Sequence, residues 1–310
     1  MALISVVTAT YNRANVLRLT IESLRAQTLA DWELIVVGDA CTDDTADVVA
    51  SFGDPRLRFV NLPRNSGDQA APNNEGVRLA TGRYLAFLNH DDLWTRDHLA
   101  TALAALEESQ ADLVFALTLA IDAAGVPHLL GACPSGTYEP RAVVPASSWL
   151  LRREVAESVG PWRRAREVFA SPSQDWLFRA WKHRRKLVPI AKGTVVAIQS
   201  GQRKNSYAHR QIEENQRYAT LLRDDPELIA RLMTAIALRL SREADQPSRI
   251  AGRAVRNALV RASVGMGVHP ATLFHAIRYR RRGGFIDMLR HTRGLPPLPK
   301  RKEQGERDHE

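Results

Sequence analysis

The sequence predicts an α/β fold: a mostly parallel sheet covered by helices on both faces, followed by a helical, basic extension. Three observations predict it. Apolar strands alternate with amphipathic helical stretches over the first 120 residues. Those strands are near-continuous runs of Val, Ile, Leu and Phe, the mark of strands buried on both faces. The net charge of +9 is concentrated late, since residues 1–215 hold 24 Lys and Arg against 24 Asp and Glu, whereas residues 216–310 hold 19 against 10.

Each element has its own signal. "LISVVTA" (3–9) reads as a buried strand, and residues 15–27 place Val16, Leu17, Leu19, Ile21 and Leu24 at helical spacing. "WELIVVG" (32–38) is a second strand, and "TDDTADVVASF" (42–52) is a helix opened by a Thr cap with acids in its first turn. "RLRFVNL" (56–62) is a third strand, 68–80 a helix stopped near Gly82, and "RYLAFLN" (83–89) a fourth strand. Residues 95–108 form a helix with Thr95 as N-cap, and "ADLVFALTLA" (111–120) is a fifth strand. Beyond it the pattern loosens into a loop-rich stretch with a hairpin (123–140), a strand and helix ending at Gly160 (146–160), and a loop entering an amphipathic helix (171–186). The rest reads as helices at 210–223, 226–243, 249–264 and 270–291. The organisation expected is a domain over 1–215, a basic helical module over 216–293, and a disordered polar tail over 294–310.

Composition narrows the classes. Two cysteines, Cys41 and Cys133, are too few for a disulfide framework and lack metal-ligand spacing, so a reducing cytoplasm is the default. The N-terminal stretch has no basic leader, and no run approaches the roughly 18 apolar residues of a spanning helix. The expectation is a cytoplasmic protein, at most peripheral at the inner face of the membrane.

In parallel sheets ligands bind beyond the carboxyl ends of the strands. Four such ends stand out: Thr8 to Arg13, Gly38 to Asp43, Asn65 to Gly67, and Asn89 to Asp92. The last ends a buried strand in two adjacent carboxylates, Asp91 and Asp92, which repel each other and are costly to desolvate. A divalent cation, Mg²⁺ or Mn²⁺, offsets that repulsion and bridges carboxylates to a diphosphate. For one Asp alone a helix cap is the better explanation, and for the pair at a buried strand's end the metal is.

"ISVVTATYNR" (4–13), "ELIVVGDACTDDT" (33–45), "NSGDQAAPNNEG" (65–76), "GRYLAFLNHDDLW" (82–94) and "QDWLFRAW" (174–181) occur in the order seen in family 2 glycosyltransferases. The resemblance spans roughly residues 1–210. It implies a GT-A fold and inverting, metal-dependent transfer of a sugar from a nucleotide-diphosphate donor, UDP favoured, to an acceptor hydroxyl in polysaccharide, glycolipid or other glycoconjugate biosynthesis. It implies that Thr8, Tyr11, Arg13, Asp39, Asn65, Gly67, Asn89 and His90 serve the nucleotide. Asp91 and Asp92 serve the metal, and Asp175 is the catalytic base.

Three positions depart from the family pattern: Asn89 and Gln174 replace frequent acids, and Asn73 stands where many members carry an Arg for the diphosphate. Arg13 and Arg203 are the candidate substitutes. "GQRKNSY" (201–207) is not the motif of processive membrane synthases, which favours a single-addition enzyme. His209 is a minor candidate for a metal or acceptor contact. A nucleotide- or glycan-binding pseudo-enzyme is the alternative. A sugar nucleotidyltransferase is less favoured, because "TATYNRANV" lacks the Gly-rich loop that grips a triphosphate.

In the module, residues 251–301 carry 11 basic residues and a single acid, Asp287. Helices with a basic and an apolar face suit an anionic membrane surface bearing a lipid-linked acceptor. Packing on the catalytic core, with the arginines solvated, explains them better than the membrane does. No nucleic-acid motif is present, and no nucleic-acid partner is expected.

Overall fold

The computed structural model describes residues 2–199, 203–244 and 257–299. Strands and helices alternate as β1 (Ile4–Thr10), α1 (Ala14–Arg25), β2 (Trp32–Gly38), α2 (Thr45–Ala50), β3 (Leu57–Asn61), α3 (Ala70–Leu79) and β4 (Tyr84–Phe87). β1 pairs in parallel with β2 and β4, and β2 with β3. The four strands therefore point their carboxyl ends to one edge. The β-branched run of β1 is buried along nearly its whole length, and Val16, Leu17, Ile21 and Leu24 of α1 are buried together, as the helical spacing predicts.

The second half is mixed rather than parallel. β5 (Asp92–Trp94), α4 (His98–Glu108), β6 (Leu113–Ile121), β7 (Pro127–Leu130), β8 (Trp149–Arg152), α5 (Arg153–Val159), α6 (Pro172–Lys182) and β9 (Leu187–Ile198) follow. The sheet runs β3-β2-β1-β4-β8-β6-β9-β5, with β7 hairpinned onto β6. β8 is antiparallel to β4 and β6, and β5 to β9. β9 is parallel to β6, with its register shifting beside Ala116 and Leu117.

β5 and β9 carry no expectation from the sequence. Pro189, Lys192 and Gly193 interrupt the apolar run of β9, and its centre is exposed at Ala191 and Lys192. β5 occupies positions read as the approach to a helix. That helix, α4, starts three residues later than expected, with Asp97 rather than Thr95 at its cap position. α2 likewise begins at Thr45. Thr42 accepts no cap bond, its backbone N–H donating instead to Asn12 Oδ1 at 2.8 Å.

Helices α7 (Glu213–Asp224) and α8 (Leu228–Ala244) cover the far end of the sheet, where Tyr218 and Leu228 pack with Leu93, Ile121, Val196 and Ile198. A helical stretch at 257–265 (α9) precedes α10 (Pro270–Tyr279) and α11 (Gly284–Arg293). The single helix expected over 270–291 is two. Arg280 and Gly283 both take left-handed backbone angles, φ 55° and 75°, which no α-helix continues through. The part of the expected helix 249–264 before residue 257 lies outside the described residues.

The expectation of a disordered tail fails for its first six residues, while 300–310 lie outside the described residues. Leu298 is buried and its N–H donates to Asp287 Oδ1 at 2.7 Å. Arg166 donates to the carbonyls of Leu298 and Pro299. A Pro-containing stretch cannot build a ladder of its own, so these residues find their partners on neighbouring segments. Among the described residues no helix is long and apolar enough to cross a membrane.

Candidate active site

A cavity of about 240 Å³ lies at the carboxyl edge of β1, β2 and β4. Tyr11 enters it from the end of β1, Asp39 from β2, and Asn89, His90 and Asp91 from β4. Asp68 and Pro72 come from the start of α3, and Ser171 and Pro172 from the start of α6. The wall opposite is α11, through Ile286, Leu289, Arg290 and Arg293.

Asp39 is fixed by the segment beyond β3. Its carboxylate accepts the backbone N–H of Ser66 at 2.7 Å and of Gly67 at 2.9 Å, while the Asn65 amide donates to the Asp39 carbonyl at 2.8 Å. Burial pushes the Asp39 carboxyl up from its ordinary value against the pull of those two N–H groups. Each carboxylate oxygen has a second lone pair for a ligand donor. Asn65 thus supports Asp39 without lining the cavity. Gly67 lines it with a left-handed backbone, φ 83°.

The two adjacent carboxylates divide. Asp91 faces the cavity. Asp92 starts β5, is buried, and its Oδ2 accepts both the Asn89 amide at 2.8 Å and the Ser147 hydroxyl at 2.5 Å. Burial first, and the Asp91 charge second, raise the Asp92 carboxyl to about 7. The repulsion is relieved by sinking one carboxyl into the sheet, rather than by turning both outward.

His90 is held at both ring nitrogens, with Nδ1 3.1 Å from the Ala9 carbonyl and Nε2 3.0 Å from the Tyr207 hydroxyl. Burial lowers its pKa. The imidazole therefore acts as a neutral brace, and its ring nitrogens are committed to protein.

Two nucleotide candidates sit elsewhere. Thr8 is buried within β1 opposite Val36, short of the strand end. Arg13 is 1% exposed and does not line the cavity. Its Nη1 donates to the Ser206 carbonyl at 2.7 Å, its Nη2 to the Gln211 carbonyl at 2.8 Å, and its guanidinium lies 5.0 Å from the Tyr207 ring centre. Arg13 pins the segment carrying Tyr207. Arg203 is likewise spent, on the carbonyls of Gln199 and Asp122 and on Glu214. His209 is exposed and outside the lining.

Asp175 stands in the first turn of α6, one turn beyond the Ser171 N-cap that lines the cavity. Its Oδ2 pairs with Arg179 Nε at 3.0 Å, and its Oδ1 with Arg163 at 3.6 Å. The carboxylate itself is outside the lining. Gln174 faces inward and binds the Val144 backbone through both amide atoms.

Among the described residues no group of three or more His, Cys, Asp and Glu side chains forms a cage for an ion. What the cavity offers is the Asp91 carboxylate and Asn89 Oδ1, left over when the Asn89 amide nitrogen turns to Asp92. Hard oxygen donors few in number fit Mg²⁺ or Mn²⁺ when a diphosphate and water complete the shell.

Residues 5–128 match the family model described as glycosyl transferase family 2. That stretch, two-fifths of the chain, is similar to family 2 glycosyltransferases. Among relatives of this family, TuaG of Bacillus subtilis, provisionally named for teichuronic acid biosynthesis, is 34% identical over 141 residues, covering 44% of this chain and 56% of that protein. The Escherichia coli enzyme named UDP-Glc:α-D-GlcNAc-diphosphoundecaprenol β-1,3-glucosyltransferase WfgD is 29% identical over 113 residues, 36% of this chain and 44% of that one. The chain thus spans about half the length of these relatives. The structure of Staphylococcus aureus TarS 1–349 with UDP-GlcNAc superposes with a TM-score of 0.58 at 18% identity, covering 94% of this chain and 92% of that one. A mannosyltransferase from Pyrobaculum calidifontis, solved with GDP-Man and Mn²⁺, superposes with a TM-score of 0.52 at 18% identity, over 89% of this chain and 86% of that one. The chain shares the GT-A fold of these solved structures.

Sequence reasoning missed Asp68, Tyr207, Arg290 and Arg293. Arg290 and Arg293 were visible as a basic face on an apolar helix, next to Ile286 and Leu289. Nothing in the sequence says which surface such a face meets.

Proposed function

We propose that the protein is an inverting glycosyltransferase that takes a nucleotide-diphosphate sugar, UDP favoured, and transfers the sugar to a hydroxyl of a lipid-linked glycan. The observation that carries this reading is the convergence of Tyr11, Asp39, Asn89 and Asp91 on one cavity at the parallel strand ends. Tyr11 offers a ring face to a base and Asp39 an acceptor to its N–H or to a ribose hydroxyl. Asp91, with Asn89 Oδ1, would hold a divalent ion, which when bound neutralises charge on the departing diphosphate.

Asp175 is the base in this reading. The acceptor oxygen forms its bond to the anomeric carbon from the face opposite the diphosphate, whose bond to that carbon breaks. The acceptor proton passes to Asp175, and the nucleoside diphosphate leaves. Oδ1 is the proton-accepting oxygen, because its contact with Arg163 is longer than that of Oδ2 with Arg179.

The lipid-linked acceptor draws support from the name of WfgD and from α10. There Phe274 and Ile277 are exposed beside Arg278 and the run Arg280 to Arg282. An apolar face beside guanidinium groups suits the headgroup layer of an anionic membrane.

The test is calorimetric titration of UDP, GDP and dTDP into the protein with Mn²⁺ or with chelator, followed by transfer assays on Asp175→Asn. Tight metal-dependent binding of one nucleotide, with turnover lost in Asp175→Asn while donor binding persists, supports the reading. Absence of nucleotide binding under either condition overturns it. Binding without any turnover in the unaltered chain favours a pseudo-enzyme.

A further inference from the structure

The lining of the donor cavity contains three carboxylates, Asp39, Asp68 and Asp91, and two guanidiniums, Arg290 and Arg293, both carried by α11. A diphosphate brought into so acidic a setting needs cations as well as whatever ion Asp91 holds. No Arg or Lys of the β1, β2 or β4 ends reaches the cavity. Arg13 and Arg203 are spent on carbonyls and Glu214, and Asn73, where an Arg would help, is buried in α3 outside the lining.

The two α11 guanidiniums are differently engaged. Arg290 is buried, with Nε donating to the Pro296 carbonyl at 2.7 Å and Nη1 to the Gly67 carbonyl at 2.7 Å. It is a clamp on the segment that cradles Asp39. Arg293 has no carboxylate partner among the described residues. Its Nε is buried without a hydrogen bond, and its guanidinium lies 5.6 Å from the Tyr207 ring centre. Tyr207 in turn is bonded to His90, the neighbour of Asp91. An unpaired guanidinium held against an aromatic ring beside the metal-facing end of the cavity is set up for an anion.

We infer that Arg293 is the residue that binds the donor's diphosphate, supplied by the C-terminal helix rather than by the family 2 domain, and that Arg290 is a positioning residue that docks this helix. The inference rests on the donor reading proposed above. It assigns to α11 a share of leaving-group stabilisation: charge that grows on the diphosphate as the glycosidic bond breaks is met by a bidentate cation already in place.

The experiment compares UDP with uridine, in calorimetric titrations of the full chain, for the unaltered protein, Arg293→Ala and Arg293→Lys. Thermal melts of all three accompany them. Loss of one charge-assisted contact is expected to weaken UDP roughly ten- to hundredfold in Arg293→Ala, with uridine binding and the melting temperature unchanged. Arg293→Lys restores part of the difference. Equal UDP-to-uridine ratios in the unaltered protein and Arg293→Ala overturn the inference while leaving the donor reading intact. If the unaltered protein binds no nucleoside diphosphate, both fall together.

Discussion

Arg290 Nη1 donates to the carbonyl oxygen of Gly67 at 2.7 Å, joining two residues 223 positions apart. That bond ties the last helix to the loop that holds Asp39, and several outcomes depend on it.

Gly67→Ala should loosen the C-terminal segment. Gly67 has φ 83°, and a Cβ would stand 2.8 Å from Pro299 Cδ and 2.9 Å from Leu298 Cδ2. The left-handed backbone alone costs an alanine about 1–2 kcal/mol. The expected result is a lower melting temperature and faster proteolysis beyond residue 283, read by mass spectrometry of early fragments.

The carboxylate pair should prove functionally asymmetric. Asp91→Asn is expected to abolish the part of UDP affinity that chelator also removes. Asp92→Asn should keep that part, since an amide can still accept from Asn89 and Ser147 in the buried site. Equal losses in the two variants would contradict the division seen between them.

Arg13→Ala should destabilise the protein by roughly 2–4 kcal/mol, because it removes two charge-assisted hydrogen bonds, to the carbonyls of Ser206 and Gln211, from a buried site. Arg13→Lys should rescue poorly, since an ammonium cannot fork to both. Denaturant melts measure the loss, and cleavage within 203–212 should rise in step.

Acid should weaken the fold through His98. This ring is buried, stacked on Trp94 with centroids 4.2 Å apart, and has Nδ1 2.7 Å from Thr194 Oγ1. Burial drops its pKa to about 3 from the ordinary 6.5. The unfolded chain therefore binds a proton between those values that the folded chain refuses, so stability falls as pH drops through that window. The slope approaches about 1.4 kcal/mol per pH unit from this group. His98→Gln should flatten it, as urea melts at pH 4, 5 and 7 would register.

The legible part of this molecule is its first hundred residues, where strand ends and site residues fall within a few positions of each other. Buried β-branched runs gave β1, β2 and β4 their places, and the ligand edge follows from parallel order. That Asp92 lies buried against Asn89 and Ser147 while Asp91 lines the cavity was not legible, because sequence shows adjacency and not side-chain direction. A strand starting at Asp92 sends neighbouring side chains to opposite faces. β9 escaped notice because Pro189 and Lys192 break its pattern and its partner, β6, lies far away in the chain. Arg293 was hidden for the same reason: its place in the cavity lining is set by a docking across the whole chain, which local periodicity cannot express.

The wall formed by α11 also sets a schedule. During synthesis the four parallel strands that bear Tyr11, Asp39 and Asp91 are complete before residue 90 is far past the ribosome, and β9 follows by residue 198. The guanidinium wall and its Leu298 latch arrive only with residues 284–299, roughly 4–17 s after residue 215 at ordinary elongation rates. A chain stalled in that interval is expected to hold the sheet with the Asp39, Asp68 and Asp91 side of the cavity uncovered. Donor turnover is expected only from chains long enough to free residues 284–299, which ribosome-stalled chains of graded length would test.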